Sequence, residues 1–373
     1  MIVHHFLKWI DTAKVAERAA AAGALARAYV QSELPFEDRC AAEAALTLLL
    51  DDPSPKVRLA MAESLSLSHQ APPQIVAALA GDQPEIAALV LLRSPLLTEA
   101  DLIDRVAQGS AMQQKLIAMR PQVSMPLAAA IAEVGDAEAC LELAGNGGAD
   151  IAMLSFRRMA ERHGDHAPLR GALLADPRLP SDVHHLLMTR LAEALRVSPF
   201  VQAMIGSARA ERVTREACGA NSVHLIDTTP VAERRALVEH LRLSGELTTA
   251  FLVRVVAFGK IDFFGAALVA LSGQTESRVQ SLLATGRDVA LVALLRSAGI
   301  APSTHTVLVR AVKAWRDVAN GRCVAGPQEV SWMMLRALDG AVADGKLVSL
   351  INAIHLQALR ENAREHALAI AAA

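Results

Sequence analysis

Leu79-Ala-Gly-Asp82 closes one helical run, and Pro84, two residues on, opens the next. The arrangement recurs along the first half of the chain. An apolar residue ends a run, a short turn of small or polar residues follows, and a second run begins. Leu50-Asp-Asp, Val106-Ala-Gln-Gly, Leu143-Ala-Gly-Asn and Leu174-Ala-Asp read the same way, and successive members of the series lie 29, 27, 37 and 31 residues apart. Recurrence at roughly 20–50 residues marks stacked helix pairs, because one pair cannot bury its apolar face alone. The prediction is an all-α solenoid.

Composition agrees. Of the 373 residues, 53% are hydrophobic but only 3% aromatic. Ala and Leu supply the apolar content, and both favour helices over strands. The net charge of -2 argues against a dedicated nucleic-acid binder, which needs a clear excess of Lys and Arg. Cys40, Cys140, Cys218 and Cys323 are far apart and form no CxxC pair, so they read as buried free thiols of a cytoplasmic protein. The most hydrophobic stretch, 250–272, carries Arg254, Lys260 and Asp262 and reads as two buried helices, not a membrane span. No signal peptide is evident at the start.

Three segments follow from the rhythm. Residues 1–196 form the first array, with a break expected near Gly23. Residues 197–319 form a second helical segment, opening on a long charged helix over 200–218 and then punctuated by Gly259, Gly273, Gly286 and Gly299. Residues 320–373 form a linker and two C-terminal helices, over 328–342 and 347–371.

Several stretches carry a resemblance. Leu48-Leu-Leu-Asp-Asp-Pro-Ser-Pro-Lys-Val-Arg58, Ser94-Pro-Leu-Leu-Thr-Glu-Ala-Asp-Leu-Ile103, Leu247-Thr-Thr-Ala-Phe-Leu-Val-Arg254 and Phe263-Phe-Gly-Ala-Ala-Leu268 resemble the bacterial family DUF2336, common in alphaproteobacteria. The resemblance covers roughly residues 18–310 and implies no catalytic residues. The helix pairs also look HEAT-like, although the units are shorter than the usual HEAT length. No regular Asp/Arg pair stands at fixed repeat positions. Arg58 falls eight residues after Leu50, but Ala87, Gln114 and Ile151 occupy that offset in later units.

No motif points to catalysis. GxSxG, the Walker A lysine loop and GxGxxG are absent. Gly145-Asn-Gly-Gly148 lacks the preceding strand and following Lys-Ser/Thr of a phosphate loop, and reads as a turn. Asp51, Asp52, Asp82, Asp136, Asp150, Asp165 and Asp176 sit at turns, where helix capping or hydrogen bonds to the turn backbone explain them. His163 and His166 flank a turn without a metal-site spacing, and His184 and His185, as neighbours on a helix, point in different directions. His4 and His5 read as exposed or partly packed. No cofactor or metal is expected.

The candidate binding residues are arginines. Arg157, Arg158 and Arg162 form one basic cluster, with His163 and Arg170 nearby and Glu161 and Asp165 interrupting it. Arg209, Arg212 and Arg215 lie at i, i+3 and i+6 and share a helix face. The apolar stripe through Leu347, Leu350, Ile351, Ile354, Ala358 and Leu359 is either core or a face for self-association of the C-terminal helix.

The leading expectation is a non-enzymatic scaffold in bacterial signalling or regulation. It binds a protein partner through the concave groove of the helices over 55–66, 84–92 and 150–162. Nucleic-acid binding, as in HEAT-like proteins, and sensing of a small anion or nucleotide stay open as alternatives.

Overall fold

The computed structural model describes residues 9–10, 12–338 and 345–372, and among these it contains α-helices, one short 3-10 turn and no β-strand longer than an isolated bridge. His4 and His5, and the end of the helix expected over 328–342, lie outside the described residues. Two compact units divide the chain, Met1–Val183 and His184–Ala373.

In the first unit alternate helices stack. Val15–Gln31 packs on Pro55–Leu65, then Pro84–Arg93, Ala111–Ala118, Ala137–Gly145 and Ala167–Ala175 follow in series. Glu99–Gln108, Met125–Val134 and Met153–His163 form a parallel series. Prolines start many of these helices, at a position whose N–H would be unpaired in any case. Thr98 and Asp101 form the expected capping box, with the Thr98 hydroxyl accepting from the Asp101 N–H at 3.2 Å. Leu46, Met61, Leu65, Ile75, Leu79, Ile86, Leu91, Ile117 and Phe156 are fully buried and fill the space between layers. Gly23 interrupts nothing: it lies buried within Val15–Gln31, where a small residue admits the helix Pro55–Leu65.

Arginines latch one layer to another. Arg18 pairs with Asp52 through contacts of 2.7 and 3.0 Å, and Arg58 pairs with Asp82 through contacts of 2.6 and 3.0 Å. Thus two turn aspartates pair with an earlier arginine while also accepting from the turn backbone, Asp52 from the Ser54 N–H at 2.8 Å and Asp82 from the Gln83 N–H at 2.6 Å. Other arginines reach backbone acceptors instead. Arg105 donates to Ala80 O at 2.8 Å, Arg120 to Ser94 O at 2.7 Å and Arg162 to Ala132 O at 2.8 Å. In the second unit Arg316 donates to Gly286 O at 2.8 Å and also reaches Leu283 O. These acceptors sit at helix C-termini, where the last carbonyls have no intrahelical donor and a positive charge meets the negative end of the dipole.

The second unit has its own core. Phe263, Phe264 and Leu268 of Ile261–Ser272 pack with Leu252, Val253 and Val256 of Thr249–Ala257 and with Val307, Leu308 and Ala311 of Pro302–Ala319. The C-terminal stripe joins this core: Leu347, Ile351, Ile354 and Ala358 are buried, against Thr249–Ala257 and Pro327–Arg336. Most of that face is therefore occupied by the chain itself, while Leu359 at its far end is exposed.

The charged helix expected over 200–218 is two helices, Pro199–Ile205 and Ser207–Thr228. Gly206 separates them at φ +78°, a left-handed conformation that glycine adopts without a steric penalty. The second helix runs ten residues further than expected, because Val223 and Ile226 are buried in the core of the second unit. Not every cysteine is buried. Cys140 is, and desolvation pushes its thiol up to about 12, but Cys40 faces outward on Phe36–Leu49 and Cys323 lies exposed in the linker.

Candidate functional site

Of the six candidate arginines, three lie in the first unit and three in the second, and four are held in contacts within their own unit. Arg157 pairs with Asp182, and Arg158 pairs with Glu133 at 2.7 Å and lies 3.8 Å from Glu161. Arg162 is one of the inter-layer latches, and the neighbouring Arg170 is buried, donating to Gly164 O at 3.0 Å. The first cluster is thus held in structural contacts. Arg215 pairs with Glu211, whereas Arg209 and Arg212 are exposed and have no ion pair among the described residues. His163 Nε2 rests on Gly135 O at 3.1 Å, and His166 lies 3.6 Å from Glu138. Among the described residues no group of three or more His, Cys, Asp and Glu is placed to hold a metal ion. The turn at Gly145–Gly148 is pinned: Asn146 donates to Ala118 O at 2.8 Å and Arg120 O at 2.7 Å, and Gly148 N–H donates to Asn146 Oδ1 at 2.8 Å.

A groove with a volume of about 1490 Å³ opens instead in the second unit. Its walls come from Arg234–Leu243, Ile261–Ser272, Glu276–Thr285 and Pro302–Ala319. None of the six arginines lines it. The floor is apolar and low: Ile261, Gly265, Ala266, Val269, Ala270, Val279, Leu283, Ala284 and Val312. A Cβ at Gly265 would lie 3.1 Å from Leu283 Cδ1, so the two helices approach closely there. Trp315 closes one end, its indole N–H donating to Val256 O at 2.7 Å, and Arg316 beside it is spent on helix-end carbonyls.

The rim carries both signs, with Arg234 and Arg235 on one side and Glu239, Asp262 and Glu276 among the acids. Arg234 Nη1 lies 3.6 Å from Asp262, a loose contact, while its Nε is buried without a hydrogen-bond partner. An unsatisfied buried donor costs on the order of 1–3 kcal/mol. The sequence offered one clue to this place, the hydrophobic pair of helices over 250–272, but nothing in their spacing marks a groove.

A second polar cluster lies inside the same unit. His185 is buried on Ser181–Val197. Its Nε2 lies 3.0 Å from Ser222 Oγ and 3.2 Å from Glu246 Oε2, and its Nδ1 lies 3.4 Å from His240 Nε2. Ser222 spends its own proton on Cys218 O at 2.8 Å. Both groups facing Nε2 therefore accept, which assigns the proton to Nε2 and leaves Nδ1 to accept from His240. Burial, then His240, then His184 push the His185 imidazole down to about 4.

The sign of the pH effect follows. The unfolded chain takes up a proton near pH 6.5, the folded one near 4, so stability falls as pH drops through that window. The loss reaches about 3 kcal/mol for this group alone. Burial raises the Glu246 carboxyl, which acid relieves, so the net loss is smaller. Thermal midpoints measured between pH 7 and 5 are expected to fall in the wild type and to flatten in His185→Phe. An equal slope in both proteins would assign the titration elsewhere.

No described helix is long and apolar enough to cross a membrane. No curated protein and no solved structure matches the chain. A family described as an uncharacterised protein conserved in bacteria, DUF2336, matches residues 86–347, well over half of the sequence. The stacked helix pairs and the second-unit groove are thus features of a chain that belongs to the DUF2336 family.

Proposed function

We propose that this chain is a non-enzymatic, HEAT-like helical scaffold that holds an amphipathic helix of a partner protein in the groove of its second unit. The groove is the observation that carries the reading. At about 1490 Å³ it exceeds the roughly 300–1,000 Å³ of small-molecule pockets. Its apolar floor includes the small side chains of Ala266, Ala270 and Ala284, which give room for a helix to approach closely, as in other helix-in-groove recognition. Arg234 and Arg235 line the rim on the basic side, and the mixed-sign rim favours a polar face carrying both charges. A net charge of -2 and a mixed rim suit a protein better than a polyanion.

Photo-crosslinking from position Ala270, exposed on the groove floor, tests this. A reproducible protein adduct is expected at Ala270 and not from Leu67, exposed on the first unit. Ala284→Trp fills the groove from an exposed position and should abolish the adduct while leaving the melting temperature within about 2 °C. Binding to duplex DNA with a steep salt dependence, undiminished by Ala284→Trp, would instead place the function in nucleic-acid recognition.

A further inference from the structure

The helix Ile261–Ser272 runs along the bottom of the groove, and its two outward rows border different walls. Gly265 lies against Leu283, so the row Ile261, Gly265, Val269 borders Glu276–Thr285. The row Asp262, Ala266, Ala270, at i, i+4 and i+8, turns toward Arg234–Leu243, where Arg234 Nη1 lies 3.6 Å from Asp262. These two walls therefore stand on opposite sides of the bottom helix, and each packs on it. Ala266 and Ala270 are the low points between them.

The walls differ in charge, and the charges stand at opposite ends. Arg235 is exposed on the first wall, next to Arg234 and so near the first turn of the bottom helix. The acids on that side already hold arginines of their own: Glu239 accepts from Arg242 at 2.7 and 2.8 Å, and Asp262 lies beside Arg234. Arg235 is within electrostatic reach of Glu239 but makes no ion pair among the described residues. Arg316, at the same end, adds positive charge although its N–H groups are taken by helix-end carbonyls. At the other end, Glu276 opens its helix three residues past the turn at Gly273, beside the last turn of Ile261–Ser272. It is exposed, accepts from Gln280 at 2.9 Å and has no ion pair among the described residues. No other charged residue of its wall lines the groove. From Asp262 to Ala270 a helix rises about 12 Å, a little over two turns.

We infer, resting on the groove as a helix site, that its occupant carries bulky apolar side chains at i and i+4 over Ala266 and Ala270, an acidic side chain against Arg235 and a basic one against Glu276. The two charges sit on opposite flanks of the occupant, about two turns apart. A helix with the same sign on both flanks meets like charge at one corner and is disfavoured.

Fluorescence anisotropy of the full chain with three labelled peptides tests this. Each peptide has about 18 residues, long enough to hold a helix, and carries two leucines at i and i+4. They differ only at two flank positions, which are Glu and Lys, Glu and Glu, or Lys and Lys. The wild type should bind the Glu/Lys peptide about threefold or more tighter than either other, the scale of exposed ion pairs, and the preference should shrink at high salt. Glu276→Lys makes both corners basic and should move the preference to Glu/Glu. Arg235→Glu makes both acidic and should move it to Lys/Lys. The double variant Arg235→Glu/Glu276→Lys exchanges the corners and should favour Glu/Lys again, because a helix turned end for end offers each charge to the other corner. Equal affinity of the wild type for all three peptides overturns the inference, as does a preference that neither reversal moves. In either case an adduct at Ala270 that Ala284→Trp abolishes leaves the groove reading standing. Binding no tighter than to Ala284→Trp, for every peptide, also overturns the inference, and a missing Ala270 adduct then removes the groove reading with it.

Discussion

Leu79→Asp is expected to unfold the first unit. Leu79 ends the helix Pro73–Leu79 and is fully buried in the layer that the repeat pattern builds. The substitution removes a packed leucine, at a cost of about 2–5 kcal/mol, and asks a carboxylate to sit in the same apolar space without a partner. Together the two exceed about 5 kcal/mol, a large part of the stability of an ordinary domain. The core of the second unit shares no residue with Leu79. Calorimetry should therefore show the loss of one transition with another retained, and near-native helicity with unchanged melting would mean that the repeat register drawn through Leu50, Leu79 and Val106 is wrong.

Asp52→Ala is expected to cost about 1–3 kcal/mol, the range for leaving hydrogen-bonding groups of a partly buried charged pair without their partner. The Asp52 side chain is 4% exposed and that of Arg18 14%, so the guanidinium left behind cannot turn freely to water. Asp52 also accepts from the Ser54 N–H at 2.8 Å, which fixes the turn into Pro55–Leu65. The Arg18 hydrogen bonds hold the Asp52 carboxyl below its usual range. A depressed acid contributes stability above the ordinary carboxylate pKa and loses it as pH falls through the folded value. Urea unfolding should thus separate wild type and variant widely at pH 7 and less at pH 3. A gap that stays constant with pH would show that packing, and not the ion pair, carries the effect.

Much of the fold was legible because its signals are local. Prolines at helix starts, the Thr98–Asp101 box and apolar spacing in Pro55–Leu65 each act within a turn or two of chain. The latches were not legible, since Arg58 meets Asp82 from 24 residues away and later arginines take backbone acceptors that any sequence supplies. No Asp/Arg spacing repeats along the sequence, although the role recurs. The groove gathers residues from 231 to 319, and His185 meets His240 across 55 positions. Gly206 was readable: a glycine directly after Ile205 is where a helix commonly ends. The arginine cluster at 157–162 looked free because its acids, Glu133 and Asp182, lie outside any short window.

The latches also bear on how the protein is made. Arg105, Arg120, Arg162 and Arg316 close carbonyls that precede them by 25 to 34 residues. On the ribosome, each carboxyl-terminal helix end stays unclosed until the next pair has been synthesised, a wait of roughly 1–7 s at about 5–20 residues per second. The nascent chain consequently settles in the order in which it emerges, each layer sealed by the one behind it.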